Sequence, residues 1–396
     1  MRRFYIATEE EIKRGETTDV YFERTRMILK AKGMDKVRVV AEITSSKLPN
    51  EWEWGVLCGI EEEAKLLEGY PVNVYAMPEG TIFRPHSYNG VKVPVLVIEG
   101  PYFSFAHLET AILGLICQAS GVATAAARIK RAAKFKPVYA FGIRRMHPAI
   151  APMLDRAAYI GGFDGVSGVL GAKLMGIKPV GTMPHALIIL FENQVKAWRA
   201  FDEVIPKEVP RIALVDTFYD EKIEALMAAE ALKEKLNAVR LDTPGSRRGD
   251  FTEIVREVRW ELDLRGYRHV KIFVSGGLNE NTVRKLSEAG ADAFGVGTSV
   301  SNAPTIDFAM DIVEVEGKPV AKRGKMAGRK QVWRCHECFI DIVLPANAEK
   351  PRCPKCNGEM SEMLKPLIIN GEIVAELPSA TEIRNYVLEQ LRKLSE

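Results

Sequence analysis

The chain has 396 residues, 47% hydrophobic and 27% charged, and its 55 Lys and Arg nearly balance 52 Asp and Glu for a net charge of +3. That length can hold two or three domains with sizeable cores, and a near-neutral balance without a basic tail does not argue for nucleic acid as a partner. No apolar run approaches the ~18 residues of a membrane span, and the N-terminus MRRFYIATEEEIKRGETTD has no apolar signal segment, so the expectation is a soluble cytoplasmic protein with no membrane partner.

In chain order, the first hundred residues show β-like runs at Val37–Thr44, Trp54–Ile60, Val72–Met77 and Val93–Glu99, with a helical stretch at Glu61–Glu68. Turn residues such as Pro78-Glu79-Gly80 separate them, and an α+β sheet domain follows. Phe105–Lys134 is helical and Ala-rich, with a break expected at Ser120-Gly121. Short apolar strands then recur at Val138–Gly142, Tyr159–Gly162, Pro179–Thr182, Ile212–Thr217, Ala238–Asp242, Lys271–Ser275 and Ala293–Gly297. Helices are predicted between several of them, at Glu221–Leu236, Phe251–Leu264 and Asn281–Ala289. This alternation implies a parallel sheet with crossover connections, and the number of units favours a closed or nearly closed barrel. After Ser301 come a predicted hairpin at Val313–Val320, a basic linker at Ala321–Lys330, a cysteine-containing segment, and a helix over 379–394 with a capping box from Ser379 and Glu382.

The polar residues of the middle segment share one placement. Arg144-Arg145, Asp164, His185, Asp216, Asp242, Ser275-Gly276-Gly277 and Gly297-Thr298 all fall at or just past the C-terminal end of a predicted strand. In α/β barrels that end carries the active site, and the last two loops often hold phosphate. Two adjacent guanidiniums suit a carboxylate or phosphate, because arginine offers a fixed fork of donors, although a solvated basic pair reads the same way. Ser275-Gly276-Gly277-Leu278 and Gly295-Val296-Gly297-Thr298 can present consecutive N–H groups to a dianion; tight βα turns are the alternative. Asp216 and Asp242 suit ribose hydroxyls or magnesium, or serve as turn caps, and Arg240 lies on the same strand face as Asp242. His185 ends a small-residue turn, Gly-Thr-Met-Pro-His, and reads as functional. Tyr21 precedes an amphipathic helix and, on physics alone, is a packing residue. No Ser/His/Asp nucleophile motif, Walker sequence or dinucleotide fingerprint occurs.

Of the six cysteines, Cys58 and Cys117 sit alone in apolar surroundings and read as core. Cys335, Cys338, Cys353 and Cys356 form two Cys-x-x-Cys pairs 14 residues apart, a spacing that closes a tetrahedral thiolate site. Four sulfurs fill every position, so structural zinc is expected.

These motifs resemble the nicotinate phosphoribosyltransferase family of type II phosphoribosyltransferases. Thr18-Asp19-Val20-Tyr21 resembles its Thr-Asp-x-Tyr, and Phe141-Gly142-Ile143-Arg144-Arg145 its Phe-Gly-x-Arg-Arg. Glu109–Thr124 is similar to the long helix that this family shares with quinolinate phosphoribosyltransferases, and Val166–Gly176 resembles its TSNVLAAKxxG stretch. Gly181–His185 resembles the GTMAH motif, which quinolinate enzymes lack. The zinc ribbon points to a prokaryotic or archaeal subgroup. The resemblance implies an irregular (β/α) barrel with an N-terminal α+β sheet domain and a C-terminal zinc ribbon. The expected divisions are an N-terminal domain at 1–110, the barrel at 111–305, a return segment and linker at 306–332, the ribbon at 333–364 and a closing strand and helix at 365–396.

The activity implied is transfer of phosphoribose from 5-phosphoribosyl-1-pyrophosphate to nicotinate, with Mg²⁺ on the pyrophosphate and ATP as co-substrate, in NAD salvage. By the same resemblance Arg144, beside Arg145, takes the nicotinate carboxylate or a phosphate, and Phe141 and Tyr21 sandwich the pyridine. Tyr21 reaches in from a second copy, in a homodimer or higher oligomer with interfacial active sites. Arg240 and Asp242 contact the ribose and pyrophosphate, and Ser275, Gly276, Gly277, Gly297 and Thr298 cradle the 5-phosphate. Asp164 shapes the turn beneath the substrates, and His185 is the phosphorylated residue. Two departures stand out: the family's R-x-D-S-G-D is here Arg240-Leu-Asp-Thr-Pro-Gly-Ser-Arg-Arg-Gly-Asp250, and Pro184 replaces a small residue. Quinolinate or nicotinamide as substrate, and a nucleic-acid-binding ribbon, are the competing readings.

Overall fold

The computed structural model describes residues 3–394. Two compact units form: Ala125–Ala303 is one, and the chain before and after that segment makes the other.

The unit at Ala125–Ala303 is built on six parallel strands. Their spatial order is Gly165–Val166, Val138–Ala140, Ala293–Val296, Lys271–Val274, Leu236–Leu241 and Arg211–Leu214. The strands read as continuous apolar runs because both faces are covered; Val239, Leu241, Ile272, Val274, Phe294 and Val296 are all fully buried. Side-chain caps start the intervening helices: Asp220 accepts from Ile223 N at 3.0 Å, and Asn279 forms a capping box with Thr282.

Three expectations change here. The sheet is a half-barrel: among the described residues its two outer strands, Gly165–Val166 and Arg211–Leu214, each pair with only one neighbour. Two predicted strands are missing from it. Tyr159–Gly162 is the end of a helix, Ala151–Ile160, whose apolar side (Leu154, Ala157, Ala158) is buried. Pro179–Thr182 is irregular, tied to the sheet by one bond from Val180 N to Val166 O. Proline at 179 cannot donate to a ladder.

The other unit is a seven-stranded antiparallel sheet drawn from both ends of the chain. Its order is Lys318–Pro319, Phe308–Val315, Arg38–Ser45, Pro94–Pro101, Asn73–Ala76, Lys365–Ile369 and Glu372–Ile373. Only Gly55–Val56 of the predicted Trp54–Ile60 run is extended into a strand. The helix Glu109–Ala132 runs unbroken through Ser120-Gly121. Gly121 serves packing instead: a Cβ there would lie 2.1 Å from the Pro304 carbonyl oxygen. The stretch Tyr102–Ala132 is long and apolar enough to cross a membrane by composition, but 61% of its most apolar window is buried within the protein, including Ile112, Ile116 and Val122. It is a core helix.

The basic linker is exposed along much of its length, but three of its lysines are paired with buried carboxylates. Lys330 Nζ pairs with buried Glu42 at 2.8 Å, and Lys322 and Lys325 both pair with buried Asp311. Charges taken out of water require such partners. The C-terminal helix Ala380–Lys393 carries the predicted capping box, and its Gln390 bonds the Gly80 carbonyl and the Ile82 N–H, each at 2.9 Å.

Candidate active site

The C-terminal ends of the Arg211, Leu236 and Lys271 strands bring together residues that lie far apart in sequence. Arg240 Nε donates to Ser275 Oγ at 2.9 Å and Nη1 to Thr182 Oγ1 at 2.8 Å, while Nη2 lies 3.3 Å from Asp242 Oδ1. Ser275 Oγ donates to the same Asp242 oxygen at 2.6 Å. The Asp242 backbone N–H and the Thr243 hydroxyl each donate to Asp216 Oδ2 at 3.1 Å. His185 closes the cluster, its Nε2 3.6 Å from Asp242 Oδ2 and 3.7 Å from Asp216 Oδ1, with Nδ1 3.2 Å from Thr217 Oγ1. His185 stands at the first turn of a short helix, His185–Leu190, rather than at a strand end.

Environment separates the two aspartates. Burial raises Asp216 to about 6. For Asp242 burial pulls the same way but is outweighed by His185, Arg240 and the Ser275 hydroxyl, which hold it at about 2. His185 is raised, chiefly by Asp242 and further by Asp216, against the opposing effect of burial. The result is a partly exposed imidazole held between two carboxylates. Asp216 Oδ1 is buried with no hydrogen-bond partner.

Around this cluster lie the other predicted residues. Phe141 rests on Gly295, where a Cβ would come within 2.6 Å of its ring, and stacks with Phe273 at 5.9 Å between centroids. The Arg240 guanidinium sits 5.5 Å from the Phe141 ring centre. Gly276 and Gly277 adopt φ of +90° and +68°. A Cβ on Gly276 would lie 2.9 Å from the Asp242 carbonyl oxygen, whereas Gly277 faces open space. Gly297 precedes the short helix Thr298–Ser301, and its carbonyl oxygen would be 2.6 Å from a Cβ on Gly142. Arg144 and Arg145 form an exposed 3-10 turn, Ile143–Arg145, and no carboxylate pairs with either among the described residues.

Two predicted residues lie elsewhere. Asp164 precedes its strand rather than following it. Its Oδ2 accepts from Val138 N at 2.8 Å and pairs with buried Lys130 at 2.5 Å, so it belongs to the N-terminal edge of the sheet. Mistaking the helix end Tyr159–Gly162 for a strand reversed its position. Tyr21 belongs to the other unit, half-exposed on the helix Val20–Ala31 and beside Phe22. The sequence reading missed Thr182, Thr217, Thr243 and Glu221. The repeated Asp-Thr at 216–217 and 242–243 was the available signal, since a second donor follows each strand-end carboxylate.

In the cysteine segment the four sulfurs lie within 4.8 Å of one another. Cys335 and Cys356 are 3.6 Å apart, close to the roughly 3.8 Å edge of a tetrahedron with Zn–S near 2.3 Å and too long for a disulfide. Cys338 N donates to Cys335 Sγ and Gly358 N to Cys356 Sγ, each at 3.4 Å. The cluster can hold a metal ion.

Comparison with known proteins agrees with this geometry. Residues 19–120 match the quinolinate phosphoribosyl transferase N-terminal domain and residues 122–311 its C-terminal domain. The chain is 32% identical over 337 residues to nicotinate phosphoribosyltransferase pncB2 of Mycobacterium tuberculosis, covering 81% of this chain and 69% of that one. A crystal structure of nicotinate-nucleotide pyrophosphorylase from Pyrococcus furiosus is 65% identical, with TM-score 0.95 over 99% of both chains. Human nicotinic acid phosphoribosyltransferase, at 21% identity, shares the fold with TM-score 0.77 over 96% of this chain and 94% of that one. The half-barrel, its strand-end cluster and the separate antiparallel sheet define a type II phosphoribosyltransferase. Within that class, the chain belongs to the nicotinate phosphoribosyltransferase family, whose members are enzymes of NAD biosynthesis.

Proposed function

We propose that the protein makes nicotinate mononucleotide and pyrophosphate from nicotinate and 5-phosphoribosyl-1-pyrophosphate, with turnover coupled to ATP hydrolysis. The carrying observation is the strand-end cluster of Arg240, Asp242, Ser275 and His185, with the Phe141 ring beside Arg240 and the uncommitted Arg144 in the turn that follows Phe141. In this reaction the pyridine nitrogen forms a bond to the anomeric carbon as the C–O bond to pyrophosphate breaks, and that oxygen keeps the electron pair. The nucleophile belongs to the substrate, so the protein positions groups and stabilises charge. Phe141 offers a stacking face to the pyridine, and the Arg144 fork takes its carboxylate. Gly276 and Gly277, with Thr298, present N–H and hydroxyl donors to the 5-phosphate. Asp242, held ionised at about 2, faces the ribose and the positive charge that develops at its anomeric carbon.

The acidic pair also fits Mg²⁺. Asp216 Oδ1 is buried without a hydrogen-bond partner and Asp242 stays ionised, the oxygen ligands a hard divalent cation prefers. The ion would neutralise the departing pyrophosphate. Zinc fits the four cysteines and would staple the ribbon. Tyr21, exposed on its own unit, is assigned to the pyridine site of a second copy, which makes the protein a homo-oligomer.

Three assays test this reading. Nicotinate, nicotinamide and quinolinate are each supplied with phosphoribosyl pyrophosphate and Mg²⁺, with and without ATP. Quinolinate is the second reading because both matched domain families carry its name; mononucleotide formed only from quinolinate overturns the proposal. His185→Ala is expected to abolish stimulation by ATP while basal transfer persists, and ATP stimulation of that variant would refute the phosphohistidine role. Sedimentation of the purified protein as a monomer would remove Tyr21 from the site.

A further inference from the structure

The strand Leu236–Leu241 leads into a loop, Thr243–Asp250, that carries two guanidiniums. The loop is fixed at its base. The Thr243 hydroxyl bonds Asp216 and Glu221, and the Thr243 carbonyl accepts from Arg248. The Arg248 guanidinium lies 3.9 Å over the Phe251 ring, a cation–π contact. Asp250 caps the helix Phe251–Leu264 by accepting from Thr252 N at 2.8 Å. Between these anchors Arg247 N donates to the Pro244 carbonyl at 2.9 Å, closing a tight turn. Arg247 is exposed at the end of that turn, and no carboxylate pairs with it among the described residues.

The surroundings give this free cation a job. Arg240, the arginine inside the cluster, is committed on all three nitrogens to Ser275, Thr182 and Asp242. Asp216, Asp242 and Glu221 make the same edge acidic. A polyanion entering there needs compensating positive charge that is not already spent. Arg144 and Arg145 follow the Val138 strand, three strand spacings from the Leu236 strand, roughly 14 Å at the usual separation. That distance exceeds the span of one carboxylate or one phosphate. The two arginine-bearing loops thus follow strands three spacings apart, and the strand that leads into Gly276 and Gly277 lies between them.

We infer that Arg247, on a loop clamped by Arg248, binds the diphosphate group of the sugar substrate, leaving Arg144 for the aromatic acid. This rests on the function proposed above, and it assigns a role to residues outside the motif that the family resemblance explains. A loop whose backbone is already held spares the backbone part of the ordering cost, and the arginine fork matches phosphate oxygens.

Inorganic pyrophosphate with Mg²⁺ is the probe. Calorimetric titration of the full-length protein is expected to show pyrophosphate binding that Arg247→Ala weakens by about tenfold or more, the range for a lost charge-assisted hydrogen bond. Arg247→Lys should recover only part, since an ammonium lacks the fork. The KM for phosphoribosyl pyrophosphate should rise in parallel, with the KM for nicotinate and the thermal midpoint unmoved. Wild-type pyrophosphate affinity in Arg247→Ala, no binding by the parent protein, or equal weakening of both substrates overturns the inference. Arg247-dependent pyrophosphate binding in a protein that does not use nicotinate would sink the proposed substrate and leave this assignment standing.

Discussion

Asp155 gives a quantitative test of the site's packing. It lies on the helix Ala151–Ile160, is 1% exposed, and neither carboxyl oxygen has a hydrogen-bond partner. It presses on the start of the next helix, where a Cβ on Gly168 or Gly171 would fall 1.9 or 2.5 Å from its Oδ2. The same Cβ on Gly168 would be 3.1 Å from Ile143, the first residue of the Arg144 turn. Burial raises the Asp155 carboxyl from 3.8 to about 7, against a smaller opposing pull from the Gly168 N–H. Between those values the folded chain holds a proton that the unfolded chain has released. Stability therefore falls as pH rises through this window and levels off above about 7. At about 1.4 kcal/mol per pH unit the whole effect is about 4 kcal/mol, an upper figure. Asp155→Asn keeps the shape and is neutral at every pH. In urea unfolding of both proteins from pH 5 to pH 8, the variant's advantage should grow by about 3 kcal/mol between pH 5 and pH 7 and then level off. Other buried carboxyls such as Glu63 titrate in both proteins and cancel. If the variant's advantage is the same at every pH, Asp155 ionises normally and the reasoning is wrong.

Asp164→Asn removes the charge partner of buried Lys130. It should lower stability by about 1–3 kcal/mol, the range for a hydrogen bond to a charged group, while leaving turnover intact below the unfolding temperature; a folded but inactive variant would return Asp164 to the active site. Gly276→Ala forces a Cβ to 2.9 Å from the Asp242 carbonyl oxygen at φ +90°, a backbone cost of about 1–3 kcal/mol. The KM for phosphoribosyl pyrophosphate should rise steeply, and an unchanged KM would remove the glycine turn from the phosphate site. Metal analysis should find one zinc per chain, lost with Cys353→Ser or strong chelation and accompanied by unfolding of the ribbon around Trp333 and Met360. Trp333 fluorescence reports this, and an unchanged spectrum after metal removal would show that the sulfurs alone hold the fold.

Much of the site was legible because its signals are local. Ser275-Gly276-Gly277, the strand-end aspartates and the paired Cys-x-x-Cys each combine a backbone requirement with a chemical group inside a few residues. The same holds for the capping box at Ser379, and for the long apolar runs that mark parallel strands covered on both faces. Which strand end a residue occupies is not local. Asp164 follows an apolar run that reads as a strand, and only the folded helix Ala151–Ile160 moves it to the opposite edge of the sheet.

By itself, then, the sequence determined the strand–helix alternation, the glycine turns, the arginine pair, the metal-type cysteines and the family resemblance. Tertiary structure alone decided that the barrel stays half open, that one antiparallel sheet takes strands from both ends of the chain, and that Lys322, Lys325 and Lys330 of the basic linker pair with Glu42 and Asp311. It also decided which cations are spent and which are free: Arg240 is tied down on every side, and Arg247 is not. The physical reason is range. Turn conformation, capping and periodicity are set by neighbours in sequence. Strand pairing and charge compensation join residues up to some 290 positions apart, as for Glu42 and Lys330, and only the folded chain brings those groups together.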